Sequence, residues 1–362
     1  MKNHWLCGRS SHLLLLIFVF ILPLTYAMPG LSQTTASAEN EGVLMKNPGA
    51  ELWRNVRQRD SASVGISQVR SVDSGVLINP HADRWARFRV NYLIEYGLMT
   101  LVAIASLILL FYLARGKVRI EGGLCGKMVH RFNDYERISH WVLAIVFLFL
   151  AVTGLTLLLG RPLLIPLLGH KVFSILASAS KESHNLFGPV FLVSLVMMLV
   201  AFVKRNIYAR GDLTWLLKGG GMIGKTHVSG GFFNMGEKSW YWLVILVGLV
   251  ISVSGLILVT PNLGQGRVVM ELSHVVHVVA AIVLIGFSFG HIYLATAGTE
   301  GTGEGMKSGY VDIKWAQAHH DRWAAECHQQ DLVISAEDYA KLQGKTNSTR
   351  DASSSADMQE AK

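Results

Sequence analysis

Cysteine is close to absent from this sequence. Cys7, Cys125 and Cys327 are the three it has, and they lie far apart. Without a CxxC pair, a four-cysteine iron–sulfur cluster or zinc ribbon inside the chain is excluded. Without CxxCH, covalent haem attachment is excluded, and count and spacing rule out a disulfide framework. Charge is scarce as well. Only 16% of the 362 residues are charged and 51% are hydrophobic, with a mean hydropathy of +0.36. Ordinary soluble domains carry about 25% charged residues, so this is a membrane composition. The net charge of +8 then reads as basic loops on one side of a bilayer, not as a nucleic-acid surface.

What is present is organised along the chain. Lys2 and Arg9 precede an apolar stretch at 13–22, and Thr25-Tyr26-Ala27 ends in a small residue. That pattern predicts a cleaved signal peptide over 1–27. Residues 28–91 are polar and mixed, predicting a periplasmic segment with a short helix near 52–59. Arg84-Trp85-Ala86-Arg87-Phe88 has the basic-aromatic composition of an interfacial anchor. Five long apolar runs follow, at 92–114, 141–159, 186–203, 240–259 and 275–297. Each is near the ~20 residues a helix needs to cross the hydrocarbon core. The shorter run 163–168, beside Pro162 and containing Pro166, is expected at the interface. No internal repeat is evident on reading along the chain. The tail, 299–362, predicts one amphipathic helix over 313–329 and a disordered Ser- and Asp-rich end.

Basic residues orient the spans. Arg115, Lys117, Arg119, Lys127, Arg131 and Arg137 lie between the first and second runs. Lys204, Arg205, Arg210, Lys218, Lys225 and Lys238 lie between the third and fourth. The alternate loops hold only Arg161, Lys171, Lys181 and Arg267. Twelve against four is a positive-inside signal. It places those two loops and the tail in the cytoplasm and the N-terminal segment in the periplasm of a bacterial inner membrane.

Histidine is the residue that needs a reason. His140, His184, His274, His277 and His291 sit at the ends of apolar runs, where an imidazole is costly. Given the orientation, His184 and His277 fall in an outer layer, and His140 and His291 in an inner one. His277 and His291 are 14 residues apart. On a helix they share a face to within ~40° and are ~21 Å apart along the axis. One helix thus offers one ligand to each of two stacked groups. Neutral imidazole pairs suit the iron of non-covalent b-type haem. His274 lies on a less favourable face and is the spare.

Two further motifs lie between the third and fourth runs. Residues 219–226, Gly-Gly-Gly-Met-Ile-Gly-Lys-Thr, match a phosphate-binding loop pattern. The strand and helix that such a loop requires are missing between two membrane spans, so nucleotide binding is not expected. Further on, Asn234 and Gly236 offer polar groups and close backbone approach at the membrane surface. Spacing alone favours an ordinary turn there.

Together these residues carry a resemblance. Arg137-Ile138-Ser139-His140-Trp141, His184-Asn185-Leu186-Phe187-Gly188, Phe233-Asn234-Met235-Gly236-Glu237-Lys238, the His277/His291 spacing and His319-His320-Asp321-Arg322-Trp323 lie within 131–326. This region, about half the chain, resembles the cytochrome b (gamma) subunit of the formate dehydrogenase-N family. The resemblance implies an all-α integral membrane protein whose core, 131–298, is a four-helix bundle with two haem b. His184 and His277 would hold the outer haem, and His140 and His291 the inner one. It implies a menaquinone or ubiquinone pocket near the inner haem, at Asn234 and Gly236. It also implies an iron–sulfur beta subunit as electron donor, fed by a molybdopterin alpha subunit that oxidises formate. The gamma subunit itself passes electrons on and reduces quinone. The signal peptide, the outer segment and the extra span 92–114, which has no histidine at its ends, depart from the family's shortest members. The cytochrome b subunit of a nickel–iron hydrogenase follows the same haem logic and is the alternative. A haem-free anchor or transporter would show broken helices or paired intramembrane charges, and neither is clear here.

The charge count yields a direct test of topology. A reporter active only in the periplasm, fused after Lys127, is expected to be silent. Strong activity would invert the orientation and with it the order of the two histidine layers.

Overall fold

The computed structural model describes residues 80–209, 211–218 and 229–344. The expected signal peptide, the periplasmic segment up to residue 79, the helix at 52–59, the glycine-rich motif at 219–226 and the end of the tail lie outside the described residues. The chain divides into two units, 1–95 and 96–362.

In the first unit, the described part is helix α1, Pro80–Phe88, followed by a π-helical turn, Arg89–Ile94. Arg87 pairs with Asp83 at 2.6 Å. Trp85, Phe88 and Tyr92 stack in a row, with ring centres 6.0 and 6.1 Å apart.

The second unit is mostly helical. Its long helices are α2 (Glu95–Arg115), α3 (Asp134–Leu159), α4 (Ile165–Phe202), α6 (Met235–Val259) and α7 (Arg267–Tyr293), with the short α5 (Asp212–Leu217) ahead of α6. Among the described residues, four stretches are long and apolar enough to cross a membrane: His81–Arg115, Asp134–Arg205, Met235–Val259 and Arg267–Gly298. All five apolar runs of the sequence fall within them. The second and third runs share the 72-residue stretch Asp134–Arg205. That stretch changes course at the π turn Gly160–Leu164 and at Gly169, whose φ of 75° is open to glycine. The short run 163–168 forms this join.

Helices α3 and α4 pack along each other, α6 and α7 do the same, and α4 packs on α6. Their shared core contains Leu143, Val146, Phe191, Leu195, Tyr241, Val244, Ile245 and Leu284. Helix α2 leans on α7 through bare backbone. A Cβ at Gly97 would lie 2.6 Å from Ile282, and one at Gly286 would lie 2.7 Å from Ile104. Outward, α2 shows Met99, Val102, Leu107, Leu110 and Leu113, a surface suited to lipid.

Helices α3 and α6 start alike. Asn133 caps α3 and Asn234 caps α6, each in a capping box with the glutamate three residues on, Glu136 or Glu237. The box satisfies two of the N–H groups that a helix start leaves open. Each glutamate also holds an arginine: Arg205 binds Glu136 at 2.7 Å, and Arg131 binds Glu237 at 3.0 Å.

The expectation of a purely α fold needs correction at one end of the helices. Strands β1 (Met128–His130), β2 (Tyr310–Asp312) and β3 (Val333–Ile334) form an antiparallel sheet in the order β2-β1-β3. The small helix α8 (Glu304–Ser308) leads into β2. The single helix expected over 313–329 is two, α9 (Ile313–His319) and α10 (Asp321–Gln329). His320 breaks it, with φ −143° and ψ 51°, and its ring is buried. Val129, Val311, Ile313, Trp315, Ala316, Trp323, Ala324 and Cys327 give this cap its own core.

Arg131 ties the cap to the helices. Its side chain is 3% exposed and lies among the rings of Phe132, Phe232, Phe233, Trp315 and Trp323. Its Nη2 donates to the Phe232 carbonyl and to Glu237 Oε1, both at 3.0 Å, and lies 3.1 Å from His320 Nε2. His320 Nδ1 donates to the Gly231 carbonyl at 2.9 Å. That fixes the proton on Nδ1 and leaves the Nε2 lone pair facing the Arg131 guanidinium. Burial pulls the His320 pKa from its ordinary 6.5 down to about 4; Glu237 opposes this and Arg131 adds to it. Burial likewise lowers the Arg131 pKa, against the pull of Glu237.

The sign of the pH effect follows. Between about pH 6.5 and 4 the unfolded chain binds a proton at residue 320 that the folded chain refuses, so stability falls as pH drops through that window. The loss approaches roughly 3 kcal/mol at its acid end. Thermal unfolding in detergent, followed by tryptophan fluorescence, should show the midpoint dropping from pH 7.5 to pH 5. In His320→Gln, which stays neutral, that drop should shrink.

Candidate functional site

The four histidines singled out from the sequence come together in pairs. His140 on α3 and His291 on α7 have ring centres 6.2 Å apart, at 57° to one another. His184 on α4 and His277 on α7 have ring centres 6.1 Å apart, at 75°. Each pair joins two histidines that the sequence reading assigns to one layer. It is His277 that meets His184; His274 lies one turn earlier on α7. Two imidazoles on opposite sides of one metal ion, each at the ~2 Å of a metal–imidazole bond, have ring centres about 6 Å apart. The donor set carries a second message. Among the described residues, no group of three or more His, Cys, Asp or Glu could hold a bare metal ion. Two neutral imidazoles and nothing else fit a metal that brings its remaining ligands with it, as haem iron does.

The His184/His277 pair, expected on the outer side, is braced from both sides. Thr153 on α3 donates its hydroxyl hydrogen to the Phe149 carbonyl at 3.0 Å, and its oxygen sits 2.9 Å from His184 Nδ1. Ser254 on α6 donates to the Val250 carbonyl at 2.7 Å and sits 3.2 Å from His277 Nδ1. His277 Nδ1 also reaches the Ile251 carbonyl at 3.0 Å. The residue after each hydroxyl is a glycine against the ring. A Cβ at Gly154 would be 3.2 Å from His184 Cε1, and one at Gly255 would be 3.0 Å from His277 Cε1.

The inner pair is held differently. His291 stacks on Trp240 with ring centres 5.0 Å apart and 18° between planes. His140 meets the Trp141 ring edge-on, and its Nδ1 is buried with no hydrogen-bond partner. Sequence reasoning found the histidines but missed Thr153, Gly154, Ser254 and Gly255. The signal was present: Val152-Thr153-Gly154-Leu155 and Val253-Ser254-Gly255-Leu256 lie 101 residues apart.

Residues 131–309 match the prokaryotic cytochrome b561 family. All four paired histidines lie inside that region. The chain is 29% identical over 223 residues to the cytochrome b556 subunit of the nitrate-inducible formate dehydrogenase of Escherichia coli, covering 59% of this chain and 97% of that one. It is 29% identical over 200 residues to the cytochrome b556 (fdo) subunit of the same organism, covering 54% and 92%. To the formate dehydrogenase cytochrome b556 subunit of Haemophilus influenzae it is 26% identical over 214 residues, covering 54% and 82%. The resemblance read from the sequence is therefore borne out. Its four apolar stretches mark an integral membrane protein.

Asn234 and Gly236 occupy defined structural positions. Asn234 Oδ1 accepts the Glu237 N–H at 3.0 Å as the cap of α6, so Nδ2 is the group left for a ligand. A Cβ at Gly236 would lie 2.9 Å from the Trp215 ring of α5. A bulky residue there pushes first on Trp215.

The cap gives a stability test that separates structure from ligand binding. Asn234→Ala should cost about 1 kcal/mol, whereas Asn234→Ser keeps an acceptor and should cost little. Thermal unfolding of the two variants checks the difference.

Proposed function

We propose that this chain is the membrane cytochrome b subunit of a formate dehydrogenase complex and delivers electrons to quinone. The carrying observation is the two imidazole pairs, 6.1 and 6.2 Å between ring centres, in a chain similar to formate dehydrogenase cytochrome b556 subunits. Those relatives favour formate dehydrogenase over the hydrogenase alternative.

In this reading the stretch Asp134–Arg205 crosses the membrane twice, for five crossings in all, and α3, α4, α6 and α7 form the haem-binding bundle. His184 and His277 would hold the outer haem, and His140 and His291 the inner one. Bound there, the two haems supply one-electron steps across the bilayer. The donor is an iron–sulfur beta subunit on the outer side, itself served by a molybdopterin alpha subunit that oxidises formate; this chain does not. The basic loops and the tail are cytoplasmic. Their contacts through Arg131, β1 and β2 support one common side for all three segments. Menaquinone or ubiquinone is reduced near Asn234 and Gly236, where Asn234 Nδ2 donates to a quinone oxygen. Protons taken up there come from the cytoplasm, so electron transfer contributes to the proton-motive force.

A reduced-minus-oxidised visible spectrum of the purified complex tests the ligands. His184→Ala and His277→Ala should each lose one b haem, and His140→Ala and His291→Ala the other. Two full haems in His277→Ala would move the role to His274. Asn234→Ser, with the helix cap intact, should slow haem oxidation by quinone and leave both haem spectra unchanged. A parent rate in that variant would place the quinone elsewhere.

A further inference from the structure

The two hydroxyls beside the outer histidines belong to an internal repeat that corrects the sequence reading, its matches being too sparse to stand out along the chain. Aligning α3 with α6 at an offset of 101 residues matches Phe132 with Phe233, Asn133 with Asn234, Glu136 with Glu237, Trp141 with Trp242, Val152 with Val253, Gly154 with Gly255 and Leu155 with Leu256. Thr153 falls on Ser254, which conserves the hydroxyl. The repeated helices each bring a hydroxyl and then a bare glycine against one imidazole of the same pair. Neither His140 nor His291 has an equivalent: residue 241, which falls on His140, is Tyr.

The hydroxyls and two backbone carbonyls face the imidazole nitrogens with acceptors. Thr153 and Ser254 each own one hydrogen, and each spends it on a carbonyl one turn back in its own helix. Toward the histidine only an oxygen lone pair remains. The Ile251 carbonyl lies 3.0 Å from His277 Nδ1 and the Leu150 carbonyl bonds His184; a carbonyl only accepts, so Nδ1 carries the hydrogen on both rings and the lone pair is left on Nε2. A metal-bound histidine commonly needs this: its outer N–H partner fixes ring orientation and raises ligand basicity, and losing that partner costs about 10–100-fold in metal affinity.

We infer that Thr153 and Ser254 are a matched pair of positioning residues that, beside a backbone carbonyl, set the orientation and basicity of His184 and His277, for the outer haem alone. The inference rests on the assignment of that haem in the proposed function.

The test uses the whole complex in detergent. Potentiometric titration with visible spectra follows the two haems, and low-temperature electron paramagnetic resonance separates their ferric signals. Thr153→Val keeps the shape and removes the acceptor. Ser254→Ala does the same on the other side. In each, the midpoint potential of one haem should rise and its resonance should shift, or that haem should be lost on washing, while the second haem stays at its parent values. Thr153→Ser restores the acceptor and should restore the parent signals. Thr156→Val is the control, since the Thr156 hydroxyl bonds only the Val152 carbonyl. A parent complex with two haems whose signals are unchanged in both Thr153→Val and Ser254→Ala overturns this inference alone. Equal shifts of both haems also overturn it. A parent complex with no low-spin haem overturns the proposed function as well.

Discussion

A polar group in hydrocarbon must find its partner inside the protein, and the arrangement of this chain follows from that constraint. Helix backbones satisfy themselves. Side chains need more. Thr153, Ser252, Ser254 and Ser288 turn their hydroxyls back onto carbonyls of their own helices. The four paired imidazoles do otherwise. They are met across helix boundaries instead, by Thr153, by Ser254, by Trp240 and by one another. The packing of α3 on α4 and of α6 on α7 is the geometry that brings these partners within reach.

At one end of the helices the problem changes from isolation to anchorage. The two capping-box glutamates secure the starts of α3 and α6 and then bind Arg205 and Arg131. A second buried ion pair, Lys238 with Asp212 at 2.7 Å, pins α6 to α5. Arg131 is the most consequential of these charges. It is desolvated within a box of five aromatic rings, and its donors join the end of α6, the 229–234 segment and the tail. Buried pairs of this kind add little net stability over apolar packing, but losing one partner is costly. They fix which surfaces meet, and here they fix the cap to the helix ends.

The two histidine pairs are held in different ways. The outer pair is held by hydrogen bonds from repeated positions on two helices. The inner pair is held by ring contacts, with His140 Nδ1 unpartnered. In the proposed function electrons enter through the first and leave through the second. Hydrogen bonding to an axial imidazole, burial and dielectric are the levers by which a protein sets a haem potential; with haem bound as proposed, the two sites would use different ones.

The sequence by itself determined the membrane character, the five apolar runs, the likeness to formate dehydrogenase cytochrome b subunits and which histidines would pair. These follow from composition, from run length against bilayer thickness, from motif matches and from a 14-residue spacing that a helix translates into one face and two depths. Tertiary structure alone decided the rest. The strands of the cap have two or three residues, too few for an alternating pattern to register, and they pair only because 128–130, 310–312 and 333–334 converge. The helix expected over 313–329 divides at His320 because burying that ring against Arg131 outweighs helical continuity. Asn234 reads as turn or ligand in the sequence and is a helix cap with one amide group to spare. Thr153 and Ser254 read as ordinary helical hydroxyls, since bonding one turn back is what such residues do. Their second role needs an imidazole from a different helix at 2.9 and 3.2 Å, and no spacing along one chain specifies a distance between two helices.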